Sequence, residues 1–231
     1  MINSPIILAL DTNDLDLAKE WIATTNELIS IYKVGLEFYL KFGHQGIHEL
    51  RNCGNFSLFL DLKLHDIPNT VAGAASSISD LSPRFLTVHA SGGAEMISAS
   101  VAVLPNVSIT AVTVLTSLNN AALKSIGFSS SALETAIGLA QLSVAAGAKS
   151  IVCSPLEVAA IRACLPLEID LITPGVRPDG VAKGDQSRTL TPAQAITSGA
   201  NYLVIGRPIT SQWQISPDAM RSATKAILES L

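Results

Sequence analysis

The stretch FLDLKLHDIPNT, residues 59–70, crowds Asp61, Lys63, His65 and Asp66 into a few positions. Two carboxylates, an amine and an imidazole are the kinds of group that move protons in active sites. Leu60, Leu62 and Leu64 alternate with them, and strand side chains point to opposite faces in turn. Read as a strand, the stretch sends Asp61, Lys63 and His65 inward and packs the leucines against helices. Asp66 falls just past the strand end, and Pro68 suits the first turn of a following helix. Burying such charges costs several kcal/mol per ion unless they pair. The row is either a structural ion cluster or a site that uses its charges. Lys33, ending the neighbouring strand candidate, extends the alternation of sign and favours the site.

The elements that position this row are legible along the whole chain. Short apolar, β-rich runs fall at IILAL (6–10), IYKVG (31–35), SLFLDLK (57–63) and FLTVHA (85–90). SITAVTVLT (108–116), SIVCS (150–154), DLITPG (170–175) and YLVIG (202–206) continue the series. Between them, residues 15–26, 94–104, 132–146 and 155–164 repeat apolar residues at helical spacing. Strands alternating with helices predict a parallel sheet covered by helices. An open doubly wound sheet would carry a Gly-rich phosphate turn after its first strand, where this chain reads LALDTNDLD. A closed (β/α)8 TIM barrel instead predicts polar residues at many strand ends. Those ends carry Asp11, Lys33, Asp61 with Lys63, His89, Thr116, Ser154, the turn from Gly175 to Arg177, and Gly206 with Arg207. The expectation is an α/β fold, a single TIM-barrel domain over residues 1–231.

Composition narrows the function classes. Hydrophobic residues make up 48% of the 231 and charged residues 15%, a profile of buried strands and helices rather than disordered tails. A net charge of −4 offers no basic field for nucleic acid, and Trp21 and Trp213 fit packing rather than base stacking. No apolar run approaches the roughly 18 residues of a membrane span, and the N-terminus does not read as a signal peptide. Cys53, Cys153 and Cys164 lack metal or redox spacing, so a reduced cytoplasm is expected and no metal site is.

With these residues in view, the chain resembles the orotidine 5′-phosphate decarboxylase family. The likeness rests on LALD (8–11), YKVG (32–35), DLKLHDIPNT (61–70), VHASGG (88–93), LTS (115–117), TPGVRP (173–178), GDQSR (184–188) and VIGRPIT (204–210), in the family's order. DLKLHDIPNT is the most specific of these. The resemblance implies decarboxylation of orotidine 5′-phosphate to UMP and CO2 without a cofactor, with Lys63 as proton donor to C6 in a network of Lys33, Asp61, Lys63 and Asp66. It further implies that Asp61, Leu62, Lys63, Leu64, His65, Asp66, Ile67, Pro68, Asn69 and Thr70 line the substrate site. In such a family the enzyme is a homodimer, Asp66 and Thr70 reaching into the neighbour's site.

Barrels often hold phosphate in the loops after strands 7 and 8. Here those loops carry Arg177, Gln186, Gly206 and Arg207: a glycine for close backbone approach and guanidinium forks matched to phosphate oxygens. PDGVAKGDQSR (178–188) has the glycines and polarity of a mobile lid. Asp11 fits a ribose hydroxyl, although it also reads as a helix N-cap in competition with Asp14, and the resemblance implies that Lys33 reaches the ribose hydroxyls as well. Thr116 fits the pyrimidine edge or a turn. His65 and His89 read more simply as satisfied interior histidines, and His44 and His48 as surface or packing residues on a helix.

Two rival readings share the barrel. One is the sugar-phosphate decarboxylases and aldolases that act through a metal-bound enediolate and need an acidic ligand at the end of strand 2. Lys33 stands there, and a cation repels Mg²⁺. The other is a non-catalytic nucleotide sensor, for which four costly charges are unnecessary.

Overall fold

Each apolar run becomes a stave of one barrel. The computed structural model describes residues 4–177 and 190–231. Its strands are β1 (Ile6–Ala9), β2 (Ile31–Gly35), β3 (Ser57–Leu64), β4 (Phe85–His89), β5 (Ser108–Val112), β6 (Ser150–Val152), β7 (Asp170–Pro174) and β8 (Tyr202–Ile205). They close in sequence order, every neighbouring pair parallel, with β8 returning to β1. The helices on the outside are α1 (Leu15–Thr25), α2 (Leu36–Arg51), α3 (Pro68–Ser77), α4 (Ala94–Val103) and α5 (Asn120–Ser125). They continue with α6 (Ala132–Ala145), α7 (Val158–Cys164), α8 (Pro192–Thr197), α9 (Arg207–Thr210) and α10 (Pro217–Glu229).

Local chemistry sets several helix starts. The Asp14 carboxylate caps α1 by accepting from the Leu17 amide at 3.0 Å, which settles the competition for that cap and leaves Asp11 to the barrel mouth. Ser131 and Glu134 form a reciprocal capping box on α6. Pro68 opens α3 as expected. The segment 118–131 folds around α5, capped by Asn119. The run 108–116 divides: pairing stops at Val112, where the partner strand β6 also stops, and residues 113–116 climb to the rim.

Alternation then builds two cores. Outward-facing Leu8, Tyr32, Val34, Leu58, Leu60, Leu62 and Val88 pack against the helices in the larger one. Inward-facing Ile7, Ile31, Phe59, Phe85 and Ile172 fill the barrel's lower interior. Phe85 meets Phe59 edge-on at 5.5 Å and Tyr202 at 5.7 Å, closing the barrel to water beneath the site. Among the described residues no helix is long and apolar enough to cross a membrane.

Candidate active site

One step of the period-2 alternation above the apolar floor, the inward positions become polar. Ile7, Ile31, Phe59 and Phe85 are followed by Ala9, Lys33, Asp61 and Thr87 on the same strands, and β1 runs on to Asp11. The ammonium of Lys33 lies 2.9 Å from Asp11 Oδ1 and 3.4 Å from Asp61 Oδ2. The other oxygen of Asp61 pairs with Lys63 Nζ at 2.7 Å. Charges thus alternate across three adjacent strands: Asp11, Lys33, Asp61, Lys63. Lys33 and Asp61 are the buried middle, with side chains 9% and 13% exposed, while Lys63 at 31% opens toward solvent.

The strand does not run straight through this row. Lys63 has φ of +49°, the left-handed region that costs a non-glycine residue about 1–2 kcal/mol. The β3–β4 register shifts between Leu60 and Leu64 at the same point. Thr87, on β4, bridges the irregularity. Its hydroxyl accepts from the Lys63 amide at 2.8 Å and donates to Asp61 Oδ1 at 3.1 Å.

That turn corrects one expectation, for His65, and sets the place of Asp66. His65 does not continue the inward row: it is exposed, its ring 5.3 Å from that of half-buried His89. Asp66 is also exposed and spends its carboxylate on the neighbouring Ile67 amide at 2.7 Å. Within one chain the alternating row therefore begins at Asp11 and ends at Lys63, without Asp66. The physical reason is the left-handed step at Lys63, which carries the chain outward before residue 65.

Charge pairing outweighs burial at the centre of the row. Burial alone would raise the Asp61 pKa, but Lys33, Lys63 and the bonds from Lys63 and Thr87 hold it below its ordinary value. Burial would likewise depress Lys33, yet Asp61 and Asp11 keep its ammonium above the usual lysine value. His89 is pushed below its ordinary value by burial and by the nearby His65 and Lys63. Burial pushes the Cys153 thiol up to about 12, which leaves a weakly acidic wall group rather than a nucleophile.

Above the row opens a cavity of about 490 Å³, the size of a small-molecule site. Of the residues singled out in the sequence, it is lined by Asp11, Lys33, Asp61, Lys63, Thr116, Arg177, Gly206 and Arg207. Val112, Val114, Leu115, Val152 and Pro174 form an apolar wall. Gly175 carries φ of +78° at the end of β7, a turn that favours glycine and leads the chain to Arg177. At Gly35 a Cβ would lie 3.3 Å from Lys33 Nζ and 3.6 Å from Asp11 Oδ1, so the missing side chain leaves that ion pair room.

The remaining motif residues stand elsewhere. Leu62 is buried on the helix side and Leu64 packs beside it. Ile67, Asn69 and Thr70 are exposed on the turn after β3 and the first turn of α3, with Pro68 half-buried between them. None of these lines the cavity of the single chain. Gln186 and the rest of residues 178–188, the expected lid, lie outside the described residues. Thr87 and the apolar wall went unnoticed in the sequence. The alternation Phe85, Thr87, His89 could have flagged Thr87, since it shares the inward face of β4.

Comparison with known proteins agrees with this geometry. The sequence profile described as "Orotidine 5'-phosphate decarboxylase / HUMPS family" matches residues 4–215. The orotidine 5′-phosphate decarboxylase of Thermobifida fusca (strain YX) is 52% identical over 207 residues, covering 90% of this chain and 89% of its own. That of Frankia casuarinae is 45% identical over 224 residues, covering 90% and 82%. The crystal structure of the Lactobacillus acidophilus enzyme of the same name superposes with a TM-score of 0.82 at 31% identity, over 98% of both chains.

The ion row makes a prediction about stability. Because folding lowers the Asp61 pKa below 3.8, its contribution is present above that value and lost as pH falls through the folded pKa. The raised Lys33 contributes below 10.5 and loses that contribution as pH rises through its folded pKa. Asp61→Asn should cost about 3 kcal/mol in urea unfolding at pH 7, by leaving Lys33 short of a partner. The gap to the parent protein should narrow as the pH is taken into the acid limb.

Proposed function

The chain belongs to the orotidine 5′-phosphate decarboxylase / HUMPS family, and from that premise we propose that it converts orotidine 5′-phosphate to UMP and CO2, the last step of pyrimidine nucleotide synthesis. The observation that carries this reading is the Lys63 amine, fixed 2.7 Å from Asp61 and lining the cavity that Arg177 and Arg207 also line. Breaking the bond between C6 and its carboxylate releases CO2 and leaves the electron pair in an in-plane orbital that the ring cannot delocalise. An ammonium held against C6 stabilises that charge as it develops. It then gives C6 a proton, and the neutral amine regains one from solvent. The step balances in atoms and charge with no electron carrier.

The other residues bind and orient. Arg207, Arg177 and Gly206 grip the phosphate, with Gln186 joining them from outside the described residues. Asp11 and Lys33 bond the ribose hydroxyls, and Thr116 meets the pyrimidine edge. Asp61 orders the two lysines and faces the departing carboxylate. Asp66 and Thr70 come from a second copy, which explains why both are exposed here beside Ile67, itself 66% exposed. The charge set Lys33, Asp61, Lys63 and Asp66 is then complete only in a homodimer, working in the cytoplasm. The metal-enediolate rival is disfavoured by the Lys33 ammonium, which already occupies the space between the Asp11 and Asp61 carboxylates.

Incubation with orotidine 5′-phosphate should give a loss of substrate absorbance that survives EDTA, and Lys63→Ala should abolish it while UMP binding persists in part. Near-normal turnover by that variant would remove Lys63 from the chemistry. Lys63→Ala and Asp66→Ala chains, each inactive alone, should regain activity when mixed under conditions of verified subunit exchange. No recovery would count against a shared site.

A further inference from the structure

We propose that Thr87 is a positioning residue for this reaction: its hydroxyl holds the Lys63 backbone in its left-handed turn and the Asp61 carboxylate in register, so that the amine projects into the cavity. The inference rests on the decarboxylase reading above. Thr87 is completely buried and does not line the cavity, so any effect on chemistry passes through its two partners. The direction of both bonds is forced. An amide N–H only donates and an ionised carboxylate only accepts. The hydroxyl therefore takes the Lys63 N–H at 2.8 Å and gives its single proton to Asp61 Oδ1 at 3.1 Å.

The place of this bridge matters as much as its existence. Where β3 and β4 lose their regular pairing, between Leu60 and Leu64, the Lys63 amide bonds a β4 side chain. Lys63 is one of only two non-glycine residues with positive φ among the described residues, the other being Ser82 in a turn after α3. A strained conformation persists when its surroundings over-determine it, and the Thr87 hydroxyl is the group that does so here. It also ties the backbone of Lys63 to the same carboxylate oxygen that pairs with its amine at 2.7 Å. Main chain and side chain of one residue are thus referenced to a single point.

The test uses the full chain and separates the hydroxyl from the bulk of the side chain. Thr87→Val keeps the shape and removes the hydroxyl. It should lower kcat about 10- to 100-fold, the loss expected when a reacting group moves by about 1 Å, with KM within roughly threefold of the parent. Thr87→Ser keeps the hydroxyl and should retain kcat within roughly threefold. Thr110→Val is the control. Thr110 is equally buried, but its hydroxyl bonds Ser150 at 2.6 Å and the Ser108 carbonyl at 3.1 Å, away from the cavity. It should lose thermal stability and keep kcat. If Thr87→Val does not fold, Thr87→Ala against Thr87→Ser makes the same comparison.

An unchanged kcat in Thr87→Val, or equal losses in the Ser and Val variants, would overturn the inference. A parent chain that leaves orotidine 5′-phosphate untouched would instead sink the functional reading. In that case a crystal structure of Thr87→Val still decides the role of Thr87. Lys63 leaving the positive-φ region supports it, and Lys63 unmoved at positive φ refutes it.

Discussion

One carboxylate shared between two amines is the interaction on which the site depends. Asp61 spends one oxygen on Lys33 and the other on Lys63, deep enough in the barrel that an unpaired charge would be costly. Lys33 in turn draws on Asp11 as well, since burial works against its ammonium and Asp61 and Asp11 together offset it. Each ion therefore makes the next affordable, and the series ends where Lys63 reaches the open cavity. The amine that faces the cavity is thereby held by a chain of pairings anchored in three strands rather than by its own flexible stem.

The barrel supplies the conditions for that pairing. Below it, the aromatic and aliphatic floor of Ile7, Ile31, Phe59, Phe85 and Ile172 excludes water, so the ion pairs are less screened than surface pairs. Above it, the rim opens to arginines at one side and to an apolar wall at the other. The same closed sheet that stabilises the fold is what brings residues 11, 33, 61 and 87, distant in sequence, into one inward layer.

Much of this was legible in the chain. All eight staves coincide with apolar, β-rich runs, because a parallel barrel buries both strand faces and leaves an unusually plain pattern. Lys33, Asp61 and Lys63 stood out because charges inside such runs violate it. What the alternation rule could not supply was its own failure at Lys63. A left-handed lysine has no signature in residue type, so alternation puts His65 on a face from which the turn removes it. Thr87 was missed for a related reason: threonine is an ordinary strand residue, and only the bulge opposite gives its hydroxyl a task. At the cavity rim, Arg177, Gly206 and Arg207 follow from the ends of β7 and β8. Asp66 and Thr70 are exposed in the single chain, and no periodicity within it assigns them a task.

The claim at the centre is that the Lys63 amine meets C6 of the pyrimidine. A crystal structure of the protein with UMP bound tests it most directly. The account predicts Nζ of Lys63 within about 3.5 Å of C6, with the phosphate on Arg207. A nucleotide bound with its C6 turned away from Lys63, or with its phosphate at the Lys33 end of the cavity, would contradict it.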